Sequence, residues 1–210
     1  MSMKSYKITD NFKDNYKFLI GSIVPRPIAW VSTLNHDGTF NLAPFSFFTA
    51  ISANPMIVAF APMIRSSDGQ KKDTVLNIER TKEFVINFVS EELLDKANAT
   101  SQEVPYAESE FTLAGLTPIA SEIIAPPRVK ESPIHFECVL RDTLNYGDHI
   151  GAGRLITGEV VMVHTADHVM KDSYFQSSAW KPVGRGSGND WHLVNSVIQV
   201  ERLMKSQIQK

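Results

Sequence analysis

Cysteine is almost absent from this chain. One residue in 210, Cys138, has no partner for a disulfide and no C-x-x-C neighbour to hold zinc. A disulfide framework and a cysteine-built metal cluster are excluded, and a reducing cytoplasm is the compartment that suits such usage. An excess of charge is lacking as well: 21 Lys and Arg stand against 23 Asp and Glu, a formal net charge of -2. That balance has no broad attraction for nucleic acid or for an anionic membrane, and neither is expected as a partner. Long apolar runs are missing, and the opening MSMKSYKITDNFKDNY has no signal-peptide core, so neither membrane insertion nor secretion by that route is expected.

What is present is ordinary globular composition, 43% apolar and 21% charged. That is enough to bury a core, and residues 1–210 read as one domain without repeats or linkers. Ile28 to Ser32 is rich in Ile, Ala, Trp and Val and meets the turn signal Asn35-His36-Asp37-Gly38 before Phe40 to Pro44, the pattern of a hairpin. Pro55 to Ala61 is continuously apolar, as in a central strand covered on both faces. Asp73 to Arg80 has helical spacing with Asp73 as a possible cap, and Glu83 to Val89 reads as a strand. Ser90 to Thr100 predicts a capped amphipathic helix. Pro105 to Pro118 is irregular with room for a helical turn, while His135 to Arg141 and Gly153 to His164 supply two more strands. About six strands and few long helices favour a closed barrel or sandwich.

The usual chemical signatures are missing. No G-x-G-x-x-G, P-loop or G-x-S-x-G is present, and the six histidines include no helical H-x-x-x-H pair or cluster with carboxylates, so no metal site is expected. Cys138 reads as a core residue, because no cation adjoins it in sequence to stabilise a thiolate. The segments that stand out are Pro25 to Thr33 and Asn41 to Phe48, where hydroxyls, an amide and an arginine alternate with aromatics. A flavin mononucleotide (FMN) site needs such a mixture: partners for the ring edge and ribityl chain, apolar cover for the ring, and donors for phosphate. Composition alone does not single out FMN.

The segment Gly21-Ser22-Ile23-Val24-Pro25-Arg26-Pro27-Ile28-Ala29-Trp30-Val31-Ser32-Thr33 resembles the opening motif of the flavin reductase-like family. The likeness continues in order through Asn41 to Phe48, Ser52 to Pro55, Lys72-Asp73-Thr74, Glu83 to Asn87, Gly158-Glu159-Val160 and Lys181 to Arg185. It implies a mainly β fold with peripheral helices, a Greek-key-like FMN-binding split barrel, and a homodimer with the flavin near the subunit interface. By that resemblance Ser32, Thr33 and the segment Asn41, Leu42, Ala43, Pro44, Phe45, Ser46 contact the ring and ribityl chain, with Trp30 an aromatic candidate against a core role. Arg65, Lys72, Asp73 and Thr74 then lie toward the phosphate, Thr74 in the first turn of a helix whose free N–H groups favour an anion.

His149 matches a position used near nicotinamide by shorter members, although Ile150 to Arg154 departs from them. Arg185 and Trp191 belong to a tail that packs near the flavin face in longer members. The implied activity is electron transfer from NADH or NADPH through FMN to free flavin, a partner protein or another acceptor, with no side-chain acid or base required. Two alternatives stand beside it: a flavoredoxin-like FMN electron carrier without a nicotinamide site, and a split barrel that has lost its cofactor.

Overall fold

The structure is a computed structural model that describes residues 2–106, 108–194 and 196–201. Its centre is a seven-stranded antiparallel sheet in the order β2-β1-β5-β8-β9-β4-β3. The strands are β1 (Ala29–Leu34), β2 (Phe40–Phe45), β3 (Phe48–Ala53), β4 (Met56–Phe60), β5 (Glu83–Asn87), β8 (Ile134–Asn145) and β9 (Arg154–Thr165). Three short ladders lie outside it: β6 (Pro118–Ile119) with β7 (Arg128–Val129), β10 (Met170–Lys171) with β11 (Tyr174–Phe175), and β12 (Val183–Arg185) with β13 (Trp191–Leu193). The helices are α1 (Phe12–Ser22), α2 (Asp73–Thr81), α3 (Leu94–Ala99), α4 (Glu110–Leu113) and α5 (Ser177–Trp180).

The sheet's two edge strands are consecutive in the chain, with only Ser46 and Phe47 between them. Two residues reach roughly 10 Å at most, so the sheet must curl until its edges nearly meet. The result is a barrel split between β2 and β3, in the expected mainly β class. Strand alternation sorts the side chains. Ala29 and Val31 join Phe45, Val58, Phe60, Phe84, Ile86, Cys138 and Ile156 in one core, while Ile28 and Trp30 join Leu42, Val89, Leu93, Ala97, Phe111 and Val129 in a second. Each large side chain fully buried this way contributes about 1.5–3 kcal/mol. Gly158 is required where β9 passes Phe84, since a Cβ there would lie 2.3 Å from the Phe84 ring.

Helix α2 closes one end of the barrel by adding Val75 and Ile78 to the inner core. Buried amides and hydroxyls tie it down. Asn77 donates to Thr33 Oγ1 at 3.0 Å and to Asn35 Oδ1 at 2.7 Å, and Asn41 donates to Thr33 Oγ1 at 3.2 Å and to Thr74 Oγ1 at 3.0 Å. Cys138 is buried in the core as expected, and burial pushes its thiol far above the ordinary range.

Several expectations need correction. The sheet has seven strands rather than six, because Phe48–Ala53 pairs with β4. Its residues are mostly exposed on an edge, so no apolar alternation announces them. The helix α1 was not expected at all. Asp73 is the first helical residue rather than the cap; Lys72 occupies the cap position in extended conformation and makes no capping bond, and the same holds for Ser90 before the next helical segment. Pro44 lies within the expected hairpin, where β1 and β2 pair in unbroken register from Ala29↔Phe45 to Leu34↔Phe40. Proline is tolerated there because β2 is an edge strand. Among the described residues no helix is long and apolar enough to cross a membrane.

Candidate functional site

Where the barrel splits, a groove of about 280 Å³ runs along β2 and its exit. Ala43, Pro44, Phe45, Ser46 and Phe47 form one side; Ala61, Met63, Ile64 and Arg65 follow β4 on the other. Phe12 and Tyr16 of α1 flank it, as do Ile150 and Gly151. The groove is built where regular pairing stops, so backbone amides that would bond a neighbouring strand face a ligand-sized space. Gly151 has φ +92°, and Phe12 packs so closely that a Cβ there would lie 2.7 Å from it. Glycine at 151 therefore lets α1 seat beside the groove.

Cations gather at the other end. Arg65 pairs with Asp68 at 3.0 Å and with Asp73 at 3.5 Å, while Lys72 donates to Glu103 Oε1 at 3.1 Å. The Ser67 hydroxyl, ahead of Lys72, holds the Glu103 carboxyl below its ordinary range. Burial pushes Asp73 upward, against the pull of Arg65 and Lys72. Both cations stand next to the start of α2, whose first N–H groups have no intrahelical acceptor and meet no side-chain cap. Two solvent-accessible cations beside free N–H groups suit a phosphate. The groove thus joins an apolar stretch along β2 to a charged stretch where Arg65 and Lys72 are held by Asp68, Asp73 and Glu103, and its volume lies just below the usual range for small-molecule sites.

The sequence candidates separate into two sets. Ala43, Pro44, Phe45, Ser46, Arg65 and Lys72 line the groove. Trp30, Ser32, Thr33, Asn41, Leu42 and Thr74 are buried, with side chains engaged inside the protein. Trp30 Nε1 donates to Thr100 Oγ1 at 2.8 Å, and Ser32 Oγ donates to the Pro127 carbonyl. Asp73 lies at the cationic end without lining the groove itself.

Two further spaces adjoin the groove. One, of about 230 Å³, shares Tyr16, Pro44, Ser46 and Ser101 with it and adds Ile28, Asn98, Arg185 and Trp191. The other shares Phe12, Tyr16, Met63 and Gly151 and adds His149, which is exposed. Tyr16 stands at the meeting point of all three. Sequence reasoning missed Phe12 and Tyr16, although Phe12, Tyr16, Leu19 and Ile20 recur at i, i+4, i+7 and i+8 behind Asn11, whose side chain caps α1. It also missed Met63, Ile64, Ser101 and Glu103, which belong to loops and carry no local pattern.

The split barrel and its edge groove define a class of ligand-binding barrels, and comparison narrows the class. The flavin reductase like domain model matches residues 20–182, and the chain belongs to that family. An uncharacterized protein of Aquifex aeolicus is 39% identical over 175 residues, covering 82% of this chain and 86% of its own. The crystal structure of nitrilotriacetate monooxygenase component B from Bacillus cereus superposes with a TM-score of 0.87 at 36% identity, covering 95% of this chain and 100% of that one. Flavoredoxin of Desulfovibrio vulgaris shares the fold, with a TM-score of 0.73 at 19% identity over 85% of this chain and 91% of its own.

Proposed function

We propose that this protein is an FMN-dependent oxidoreductase that passes electrons from NADH or NADPH to free flavin, a partner protein or another acceptor. The observation that carries the reading is the groove's lining, which brings Ala43 to Phe47 together with Arg65 and Lys72, within a flavin reductase like chain. Bound flavin supplies the redox chemistry. The protein's residues hold and orient it: Pro44 and Phe45 against the ring, Ser46 and the β2 exit at its polar edge, Arg65, Lys72 and the first N–H groups of α2 on the phosphate. The β1 residues Trp30, Ser32 and Thr33, with Asn41, Leu42 and Thr74, act behind this surface by fixing the backbone of β2 and α2.

A homodimer accords with α1, which leaves Phe12, Phe18 and Leu19 exposed beside the groove. A cytoplasmic setting accords with the unpaired Cys138. The test is anaerobic addition of NADH or NADPH to purified protein carrying one FMN per chain. Bleaching of the flavin absorbance at turnover speed supports the reductase reading. Bound FMN that stays oxidised with both nucleotides rejects nicotinamide dependence and leaves an electron carrier, and failure to bind FMN rejects the reading altogether.

A further inference from the structure

Among the described residues Arg185 is a cation with no acidic partner. Its guanidinium carbon lies 4.8 Å from the centroid of the Trp191 ring, and Nη2 donates to the Gly188 carbonyl at 2.7 Å. Among the described residues neither Arg185 nor its bridge partner Arg26 forms an ion pair, although the two exchange backbone hydrogen bonds at 2.9 Å in both directions. Burial lowers the Arg26 guanidinium's pKa, and Arg185 beside it acts in the same direction, so this corner holds two positive charges at close range. Such a corner favours an anion.

The 230 Å³ space in front of Arg185 has the matching shape and chemistry. Tyr16, Ile28, Pro44 and Trp191 make its walls largely apolar, Ser46, Asn98 and Ser101 add neutral polar groups, and among the described residues no carboxylate lines it. The Trp191 ring holds the guanidinium by a cation–π contact, and the single bond to Gly188 leaves most of its five N–H donors for another acceptor. Planar, bidentate recognition of a carboxylate is what arginine does best.

We infer that this space is a second-substrate subsite for a compact planar ring bearing an anionic group, oriented by Arg185 against Trp191 and brought beside the groove at Ser46. The inference rests on the proposed function for the identity of the neighbouring ligand, but Arg185, Trp191 and the cavity are independent of it. Ser46 and Tyr16 form the shared boundary, so a ring held there has direct access to the groove. The occupant is an electron acceptor of that chemistry.

The test is calorimetric titration of the full chain, with and without FMN, using sodium benzoate and its uncharged analogue benzamide. A charge-assisted pair with Arg185 predicts that benzoate binds about tenfold tighter than benzamide or better. Arg185→Gln abolishes the preference and Arg185→Lys retains part of it, each variant checked by its unfolding midpoint. Equal binding of the two probes, or an unchanged preference in Arg185→Gln, overturns the inference. So does an Arg185→Gln effect seen with FMN or NADPH and absent with benzoate. A benzoate preference in protein that fails to bind FMN supports the subsite and rejects the flavin reading, so the two failures are distinguishable.

Discussion

Arg26, a residue only 4% exposed, donates from Nε to the Ser46 hydroxyl at 3.3 Å. Its other donors reach the Ile20 carbonyl at 2.6 Å, the Ile23 carbonyl at 2.8 Å and the Gly186 carbonyl at 2.7 Å. One side chain therefore fastens the end of α1, the C-terminal hairpin and the groove residue Ser46 to each other. Among the described residues Ser46 donates to no acceptor, so its proton is available to the groove.

Replacing Arg26 by Met leaves three carbonyls without their donor and is expected to cost about 2–4 kcal/mol. The urea midpoint checks this. Because Ser46 loses its partner too, the midpoint potential of bound flavin should fall in Arg26→Met even under conditions where the variant is fully folded. A variant of wild-type stability would remove Arg26 from its place as the hub of this corner.

A Cβ at Gly158 would lie 2.3 Å from the Phe84 ring and 3.2 Å from Cys138 Cβ. Gly158→Ala should destabilise the protein by about 1–3 kcal/mol through overpacking of the inner core. Combined with Phe84→Leu the cost should be largely relieved, which thermal unfolding of the double variant can show. Additive losses would mean that the close approach is not the cause.

Glu110 is buried on α4, where its carboxylate accepts from the Leu42 N–H at 2.9 Å. Burial pushes its pKa up from 4.5 to about 7, against the pull of that hydrogen bond. Between those values the folded chain keeps a proton that the unfolded chain releases, so stability is lost as pH rises through the window. The loss is at most about 3 kcal/mol, at 1.36 kcal/mol per unit. Burial raises Asp73 as well, and its contribution has the same sign. Glu110→Gln keeps an acceptor for Leu42 and removes the charge. It should therefore gain stability at pH 8, change little at pH 4.5, and flatten the slope between; denaturant melts across that range would show an unaltered slope if the account is wrong.

Strands β1, β2, β4, β5, β8 and β9 were legible because each places alternating or continuous apolar residues into a core. Strand β3 was not, since Thr49, Ala50 and Ile51 face solvent on an edge and obey no burial constraint. Within the site, Ala43 to Ser46, Arg65 and Lys72 were found through the ordered family motifs. Those motifs also brought in Thr33 and Asn41, whose side chains serve the polar network under α2, and Ser32, whose hydroxyl accepts from Asn87 Nδ2 and donates to the Pro127 carbonyl. A motif records that a residue matters without recording which way it faces. Tyr16, Met63 and Glu103 converge only after the chain has folded, and no spacing could reveal that.

The measurement that tests the central claim most directly is the affinity of the protein for FMN and for riboflavin, in the wild type and in Lys72→Met and Arg65→Met. If the groove holds FMN with its phosphate at the cationic end, the wild type binds FMN more tightly than riboflavin. Each substitution then weakens FMN by about tenfold or more while leaving riboflavin nearly unchanged. Equal affinity for the two flavins, or variants that bind FMN like the wild type, would contradict the account.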